Sequence, residues 1–157
     1  MKILCIAGGG GHIGQMIWCL EAFKGHQVIL ATYAKDYMLN FKHPRVIQTY
    51  RMLGWGRRAG IRLAISQLIN FFYFLYIFVK ERPCILFSTG SELAIVPFYL
   101  FWLLGVKGRV FLDTAARPVT VSKTARLIYP ACNVLLVQWP ELVGKLGHKT
   151  RYWGRVI

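Results

Sequence analysis

The sequence predicts an α/β fold in which helices cover both faces of a parallel, Rossmann-like β-sheet. Short apolar runs of strand length alternate with longer helix-like segments along the 157 residues, which is the pattern of parallel β-α units. The first apolar run, Ile3 to Ala7, leads directly into four glycines, as in sheets of this class. The chain length fits a single domain, residues 1–157.

The predicted strands and helices follow one another in a regular order. Strands are expected where short apolar runs stand between turn-forming or polar residues, and helices where the runs are longer. Lys24-Gly25 closes the first helix, and Pro83 ends the segment before the fourth strand. The predicted strands are 3–7, 26–32, 46–50, 85–88, 110–112 and 134–137, and the predicted helices are 13–23, 63–79, 91–104, 122–129 and 140–146.

The composition indicates a partner that is both anionic and apolar. The chain carries 20 lysines and arginines against six acidic residues, a formal charge of +14, and 55% of its residues are hydrophobic. Such a charge attracts polyanions, but the apolar content favours an anionic membrane surface over nucleic acid. The four dispersed cysteines indicate free thiols in a reducing, cytosolic setting. No metal-ligand spacing stands out.

A basic loop and an apolar helix at about residues 51–80 form the predicted membrane-associating region. Residues 63–79 carry polar side chains on one helical face only. About 17 residues reach roughly 26 Å, against about 30 Å for a bilayer core. Three interpretations stay open: a buried helix that covers the sheet, a helix that dips into the membrane, and a true span. The predicted membrane residues are Arg51, Arg57, Arg58, Phe71, Phe72, Phe74 and Phe78.

The glycine loop between the first strand and the first helix is a candidate phosphate site. Backbone N–H groups and the helix dipole favour an anion there, and Gly9, Gly10 and Gly11 allow it to approach closely. The loop also fits the GxGxxG fingerprint, but no acid ends the second strand, so an NAD-dependent reductase is less favoured and no cofactor is predicted. His12 serves either as a general base or as a partner of local backbone groups.

Two later strand ends supply further candidates. Thr89 and Gly90 follow the fourth strand and are predicted to line a cleft, while Ser91 is interpreted as a helix N-cap. Asp113 follows the fifth strand directly, which suits a general base or an acceptor for a hydroxyl proton, and Arg117 suits a diphosphate. An Asp113–Arg117 ion pair that fixes the loop is the alternative.

Several of these segments together resemble one family. The strand-GGGGH-helix opening is similar to the GSGGH opening of the membrane-anchoring subunit of the eukaryotic two-component N-acetylglucosaminyltransferase that extends dolichol-linked oligosaccharide, and of bacterial PssD-like exopolysaccharide proteins. Thr89-Gly90 resembles the TG turn of that family. Further resemblance lies in Asp113-Thr114, Arg117, Ser122, Thr124, Arg126, Leu127, Tyr129, the QWPEL segment at 138–142, Tyr152 and Gly154. The sequence departs from the family pattern in having Asp113 in place of Glu and Ala125-Arg126 in place of Gly-Lys.

The resemblance implies half of an enzyme. The chain would be the acceptor-side, N-terminal half of a GT-B glycosyltransferase, inactive alone, and it would recruit a separate small donor-binding subunit. The implied reaction is transfer from a UDP-sugar to a polyprenyl-diphosphate-linked acceptor in exopolysaccharide or capsule synthesis. The chain lacks the N-terminal membrane helix of eukaryotic members, which points to the bacterial branch and the cytoplasmic face of the cell membrane. The alternative is a non-catalytic membrane adaptor.

The resemblance also suggests roles for single residues. The glycine loop and Arg117 would hold the acceptor diphosphate, and His12 or Asp113 would assist deprotonation of the attacking hydroxyl. Related single-chain MurG enzymes use a similar glycine loop and its histidine on the acceptor side, which places His12 near that hydroxyl by analogy. Gln138, Trp139 and Glu141 would serve either the partner interface or the structure.

Overall fold

The computed structural model describes residues 1–33, 43–53 and 61–156, and only the backbone of residues 61–64. Seven strands are present: β1 Lys2–Ala7, β2 Gln27–Tyr33, β3 Val46–Met52, β4 Ile85–Ser88, β5 Gly108–Leu112, β6 Val134–Val137 and β7 Thr150–Tyr152. They form one parallel sheet in the order β3-β2-β1-β4-β5-β6-β7. The predicted parallel, Rossmann-like sheet is therefore confirmed.

The strand β7 is an addition to the six predicted strands. It has three residues, of which only Thr150 is buried, and it pairs with β6 at the edge of the sheet. A segment this short, with Arg151 and Tyr152 exposed, contains no apolar run from which a strand could be predicted. The prediction of six strands was wrong for this reason.

Four α-helices lie in the described part of the chain: α1 Gly11–Cys19, α2 Ile61–Glu81, α3 Ile95–Leu103 and α4 Lys123–Ile128. Short 3₁₀ turns occupy Leu20–Phe23, Glu92–Ala94 and Pro140–Leu142. The helix predicted at 140–146 is only the last of these turns. Gly144 has a φ of 80° and Gly147 a φ of 123°, and such left-handed residues end a helix.

Both faces of the central strands are buried. Along β1, Ile3 and Cys5 contact the cluster under α1, while Leu4 and Ile6 contact the cluster under α2 and α3. This alternation follows from the two-residue period of a strand. Because both faces are covered, β1 appears in the sequence as an unbroken apolar run.

The helix α2 packs on the sheet with a face that carries Ser66 and Asn70 in its first half and Phe74 and Ile77 in its second. Ser66 and Asn70 are each only 1% exposed. Asn70 Oδ1 accepts a hydrogen bond from the Leu53 N–H at 3.1 Å, and its Nδ2 donates to the Leu53 carbonyl at 2.9 Å. The amide thus satisfies both backbone groups of the residue that follows β3, which fixes α2 against that strand.

The C-terminal end of α2 is fixed by Glu81. The Tyr50 hydroxyl donates to Glu81 Oε1 at 2.7 Å, and Lys2 Nζ lies 3.0 Å from Oε2. The hydrogen bond from Tyr50, followed by that from Lys2, holds the pKa of Glu81 below its usual value. Glu81 therefore joins β1, β3 and α2.

Candidate functional site

The candidate site lies at the carboxyl edge of the sheet, between β1 and β4. These strands are neighbours, yet β1 continues through α1 to β2 on one side and β4 continues through α3 to β5 on the other. Such a switch in direction opens a crevice at the strand ends. The predicted glycine loop and Thr89-Gly90 meet there, and the Thr89 N–H donates to the Ile6 carbonyl at 3.3 Å.

Two hydrogen bonds join His12 and Thr89 across this crevice, and we call this pair of bonds the clasp. His12 Nδ1 lies 2.8 Å from the Thr89 carbonyl oxygen, and Thr89 Oγ1 donates to the His12 carbonyl at 2.7 Å. Since a carbonyl only accepts, Nδ1 must carry the proton, which leaves the lone pair of a neutral imidazole on Nε2. The two predicted roles of His12 are therefore compatible, because one nitrogen satisfies the backbone and the other is free to act as a base.

Gly90 and Gly8 allow close approaches that no side chain would permit. A Cβ on Gly90 would lie 2.6 Å from the His12 ring, and the residue has a φ of 107°. A Cβ on Gly8 would lie 2.6 Å from the Cβ of Ser91. Only glycine at position 90 leaves room for the imidazole in its observed position.

Among the described residues, the start of α1 has free space in front of it. The N-cap residue Gly10 provides no side-chain cap, and a Cβ on Gly10 or Gly11 would meet no atom of residues 1–33, 43–53 or 61–156 within 4 Å. Both residues are exposed, and Gly9 is partly buried. The first N–H groups of the helix and its dipole thus face a space with room for an anion.

Asp113 is a fixed part of the loop that follows β5. It is 1% exposed; Oδ1 accepts from the Thr114 N–H at 2.9 Å, and Oδ2 accepts from the Ser122 N–H at 3.0 Å. Both oxygens thus bind backbone groups of its own loop, and a role of Asp113 or His12 as a base stays a prediction. The predicted alternative of an Asp113–Arg117 ion pair is not formed among residues 1–33, 43–53 and 61–156; Arg117 is exposed in the loop.

Gln138 and Trp139 fasten this loop to the C-terminal segment. Gln138 is fully buried; its Nε2 donates to the Asp113 carbonyl at 2.8 Å, and its Oε1 accepts from the Val156 N–H at 2.9 Å. Trp139 Nε1 donates to the Ala115 carbonyl at 2.8 Å. The structural role predicted for these two residues is thus supported.

The surroundings of Trp139 and Glu141 also bear on the predicted partner contact. The Arg155 guanidinium lies 3.5 Å from the centre of the Trp139 ring, a cation–π contact that closes the C-terminal segment over the indole. Glu141 is exposed in the 3₁₀ turn that follows. A partner contact through this region stays a prediction.

A pair of side chains at the same edge was not predicted from the sequence. The Tyr33 hydroxyl donates to Glu92 Oε1 at 2.6 Å, and burial, together with this bond, raises the pKa of Tyr33. Tyr33 is the last residue of β2 and Glu92 lies shortly after β4, and these two strands flank β1. Their position at the carboxyl ends of these strands was the available signal. Ser91 caps the 3₁₀ turn that begins at Glu92, its Oγ accepting from the Leu93 N–H at 3.1 Å, as predicted.

The predicted membrane residues divide into exposed and buried groups. Phe72 is 61% exposed, Arg51 is exposed, and Phe71 and Phe78 are partly buried. Phe74 is fully buried in the core beneath α2, so its assignment to the membrane surface was wrong: it lies on the face that packs against the sheet. Arg57 and Arg58 lie outside the described residues.

Two further observations concern helix length and metal ligands. No helix in the described part of the chain is both long and apolar enough to cross a membrane. Within the same residues, no group of three or more His, Cys, Asp and Glu side chains is placed to hold a metal ion.

The fold is that of one domain of GT-B proteins. It matches MurG from Acinetobacter baumannii with a TM-score of 0.73 at 12% identity, over 98% of this chain and 45% of that one. It matches UDP-N-acetylglucosamine 2-epimerase from Rickettsia bellii with a TM-score of 0.71 at 12% identity, over 99% and 45%. The chain therefore spans less than half the length of these proteins and has the Rossmann-like architecture of a GT-B half.

The family resemblance read from the motifs is confirmed by curated relatives, although no family profile matches the chain. The chain is similar along its length to UDP-N-acetylglucosamine transferase subunit ALG14. Identity is 24% with the Eremothecium gossypii protein, over 99% of this chain and 80% of that one, and 22% with the Saccharomyces cerevisiae protein, over 100% and 77%. A third relative, from Yarrowia lipolytica, is 21% identical over 92% and 76%. None of the three is bacterial, so the expected bacterial branch gains no support from them.

Proposed function

We propose that this chain is the acceptor-binding subunit of a two-component glycosyltransferase. It receives a polyprenyl-diphosphate-linked sugar and presents it to a UDP-sugar held by a separate, donor-binding subunit. The observation that carries this proposal is the clasp between His12 and Thr89, which leaves Nε2 of the imidazole free at the switch point between β1 and β4. The resemblance to ALG14 subunits supports the same assignment.

The acceptor would be held and activated by separate parts of the crevice. The diphosphate would lie against the glycine loop at Gly9, Gly10 and Gly11, directly before and at the start of α1, where the helix dipole favours negative charge. The exposed Arg117 would supply a second, bidentate contact. His12 Nε2 would then take the proton of the attacking sugar hydroxyl as its oxygen bonds to the anomeric carbon and UDP leaves, with inversion.

The donor site would lie on the partner. This chain corresponds to 45% of the MurG chain, and the curated relatives are named as subunits of a transferase. The rigid edge formed by Gln138, Trp139 and the C-terminal segment, with the exposed Glu141 beside it, offers a surface for that partner. The isolated chain would then be inactive.

The outward face of α2 would hold the chain on an anionic membrane. Six large apolar side chains, spaced at helical intervals, are exposed there: Ile65, Leu68, Ile69, Phe72, Tyr76 and Val79, between 47% and 63%. Monomeric proteins rarely expose such a stripe, and water would be displaced from it on contact with lipid. The net charge of +14 and Arg51, Arg57 and Arg58 would add attraction to anionic headgroups. The cytoplasmic membrane face and a role in exopolysaccharide or capsule synthesis belong to this proposal.

The proposal is tested by reconstitution. This chain and its donor-binding partner are expressed separately and together, and transfer of radiolabelled sugar from a series of UDP-sugars to membrane lipid acceptor is measured. Transfer by the pair, with none by either protein alone, is expected. Transfer by this chain alone would overturn the split-enzyme assignment, and no transfer by the pair with any donor would favour a non-catalytic adaptor.

A further inference from the structure

A cavity of about 480 Å³ opens at the amino-terminal edge of the sheet, at the opposite end from the candidate site. It lies between the C-terminal end of α2 and the segments that enter β4 and β5. Its walls are largely apolar, formed by Phe78, Val79, Pro83 and Val106. Its volume falls within the range of about 300–1,000 Å³ of small-molecule sites.

The cavity is bounded by fixed structure. The buried Arg109 donates hydrogen bonds to the carbonyls of Val106 and Ala131, which holds the wall contributed by the segment before β5. Pro83 is buried, and a Cβ on Gly108 would come within 3.0 Å of Ile85. The cavity is therefore part of the packed frame of the domain.

Two cations line the same cavity. Arg82 and Lys107 are both exposed, and neither side chain has an acidic or hydrogen-bonding partner within the described ranges. Arg82 also has a φ of 50°, and its N–H closes α2 by donating to the Phe78 carbonyl at 2.9 Å. Glycine or asparagine usually occupies this position, so Arg82 adopts a backbone conformation that side chains other than these disfavour.

The cavity continues the outward face of α2. Val79 is 63% exposed, belongs to that apolar stripe and also lines the cavity. An apolar hollow with two unpaired cations at its wall complements a ligand that has a hydrocarbon chain and an anionic head.

We infer that the cavity binds an anionic phospholipid, with part of an acyl chain among Phe78, Val79 and Val106 and the phosphate on Arg82 and Lys107. The inference rests on the membrane-facing role proposed for α2. It adds a defined lipid site to what is otherwise a general apolar contact, and it would orient the domain so that the end of α2 meets the lipid headgroups.

Cys84 provides a direct probe because it lines the cavity and is exposed. The other three cysteines, Cys5, Cys19 and Cys132, are buried, and burial raises the pKa of each of those thiols, to about 11 for Cys19. The reaction of the folded protein with a chromogenic disulfide reagent therefore reports on Cys84, which a Cys84→Ser variant verifies. The probe ligand is dihexanoyl-phosphatidylglycerol below its micelle concentration.

Phosphatidylglycerol should slow the reaction of Cys84, whereas dihexanoyl-phosphatidylcholine or inorganic phosphate at equal concentration should not. The double variant Arg82→Gln/Lys107→Gln should bind the anionic lipid about thirtyfold more weakly, the combined effect of about 1 kcal/mol for each cation. The matched control Lys24→Gln/Arg126→Gln removes one lysine and one arginine that are exposed elsewhere and should protect as the unaltered protein does.

Three outcomes would overturn the inference. Protection by phosphatidylcholine would mean an apolar contact without a phosphate site, and protection by inorganic phosphate alone would mean an anion site without a lipid. No protection of the unaltered protein would leave the cavity without this ligand. Vesicle binding and sugar transfer by the pair are measured in parallel, so the proposed function can survive if only the lipid site fails.

Discussion

The crevice at the carboxyl edge and the outward face of α2 are organised in opposite ways. In the crevice, each key side chain is held by named hydrogen bonds: His12 by Thr89, and Asp113 by its own loop. On α2 the polar side chains Ser66 and Asn70 are buried beside Phe74 and Ile77, while a stripe of large apolar side chains from Ile65 to Val79 is exposed. The crevice is built for fixed geometry, and the face of α2 is built for contact area.

This difference separates two kinds of function. A group that moves a proton must be placed within hydrogen-bonding distance of its target, which requires the rigid support found around His12. Association with a lipid surface depends mainly on apolar area and charge, and needs no such precision. Substitutions can therefore be chosen that affect one of the two regions and spare the other. A substitution in the core beneath them should instead lower stability.

Phe72 and Phe74 provide the largest contrast, because they lie on opposite sides of α2. Phe74→Ala should lower the free energy of unfolding by about 3–5 kcal/mol, as it removes a fully buried ring. Phe72→Ala, which truncates a ring that is 61% exposed, should change stability by no more than about 0.5 kcal/mol. Denaturant unfolding measures both.

Binding to lipid should depend on the exposed Phe72 rather than on the buried Phe74. Phe72→Ala should weaken binding to anionic vesicles by about tenfold or more, since burying such a ring is worth about 1.5–3 kcal/mol. Vesicle co-sedimentation is the measurement. Unchanged binding by Phe72→Ala would place the membrane contact elsewhere on the molecule.

Gly90 and Gly144 form a matched pair for the crevice. Both have a positive φ, of 107° and 80°, but only at Gly90 would a Cβ collide with His12, whereas at Gly144 it meets open space. Gly144→Ala should cost about 1 kcal/mol of stability, and Gly90→Ala should cost more, because its Cβ must also displace the His12 ring. Gly90→Ala should also reduce transfer by the reconstituted pair about a hundredfold, and equal activities of the two variants would refute the fit between Gly90 and the imidazole.

Glu81 joins the end of α2 to β1 and β3, and its substitution should have a smaller effect on stability that depends on pH. Its pKa is lowered in the folded chain by the bonds from Tyr50 and Lys2. A lowered folded pKa gives stability that is present above the unfolded pKa and is lost as the pH falls through the folded pKa. Glu81→Gln should therefore cost about 1 kcal/mol at pH 7 and progressively less below about pH 4. A difference that stays constant over this range would contradict the assigned ion pair.

Much of the crevice was predictable because parallel strands end at one edge. The bounds of β4 and β6 agree with the predicted runs, and residues that follow β1 and β4 had to meet once the sheet was parallel. The pairing of Tyr33 with Glu92, 59 residues apart, and the role of Asp113 depend on side-chain positions that spacing does not specify.

The orientation of α2 was not predictable from its helical pattern. The pattern places Ser66 and Asn70 on one face, and a polar face is normally turned to solvent. Here Asn70 finds two backbone partners at Leu53, which offsets its burial. The inward face therefore carries Asn70 together with the buried Phe74. Because Leu53 lies 17 residues from Asn70, the helical periodicity does not indicate this pairing.

The central claim, that this chain contributes the base to a shared active site, is tested most directly by His12→Ala in the reconstituted pair. Transfer from UDP-sugar and co-purification of the donor-binding subunit are measured on the same preparations, with the exposed His148 changed to Ala as a control. We predict that His12→Ala lowers turnover about 100- to 10,000-fold with recruitment intact and His148→Ala unaffected. Unchanged turnover in His12→Ala would remove the imidazole from the reaction and leave the chain as a recruiting adaptor.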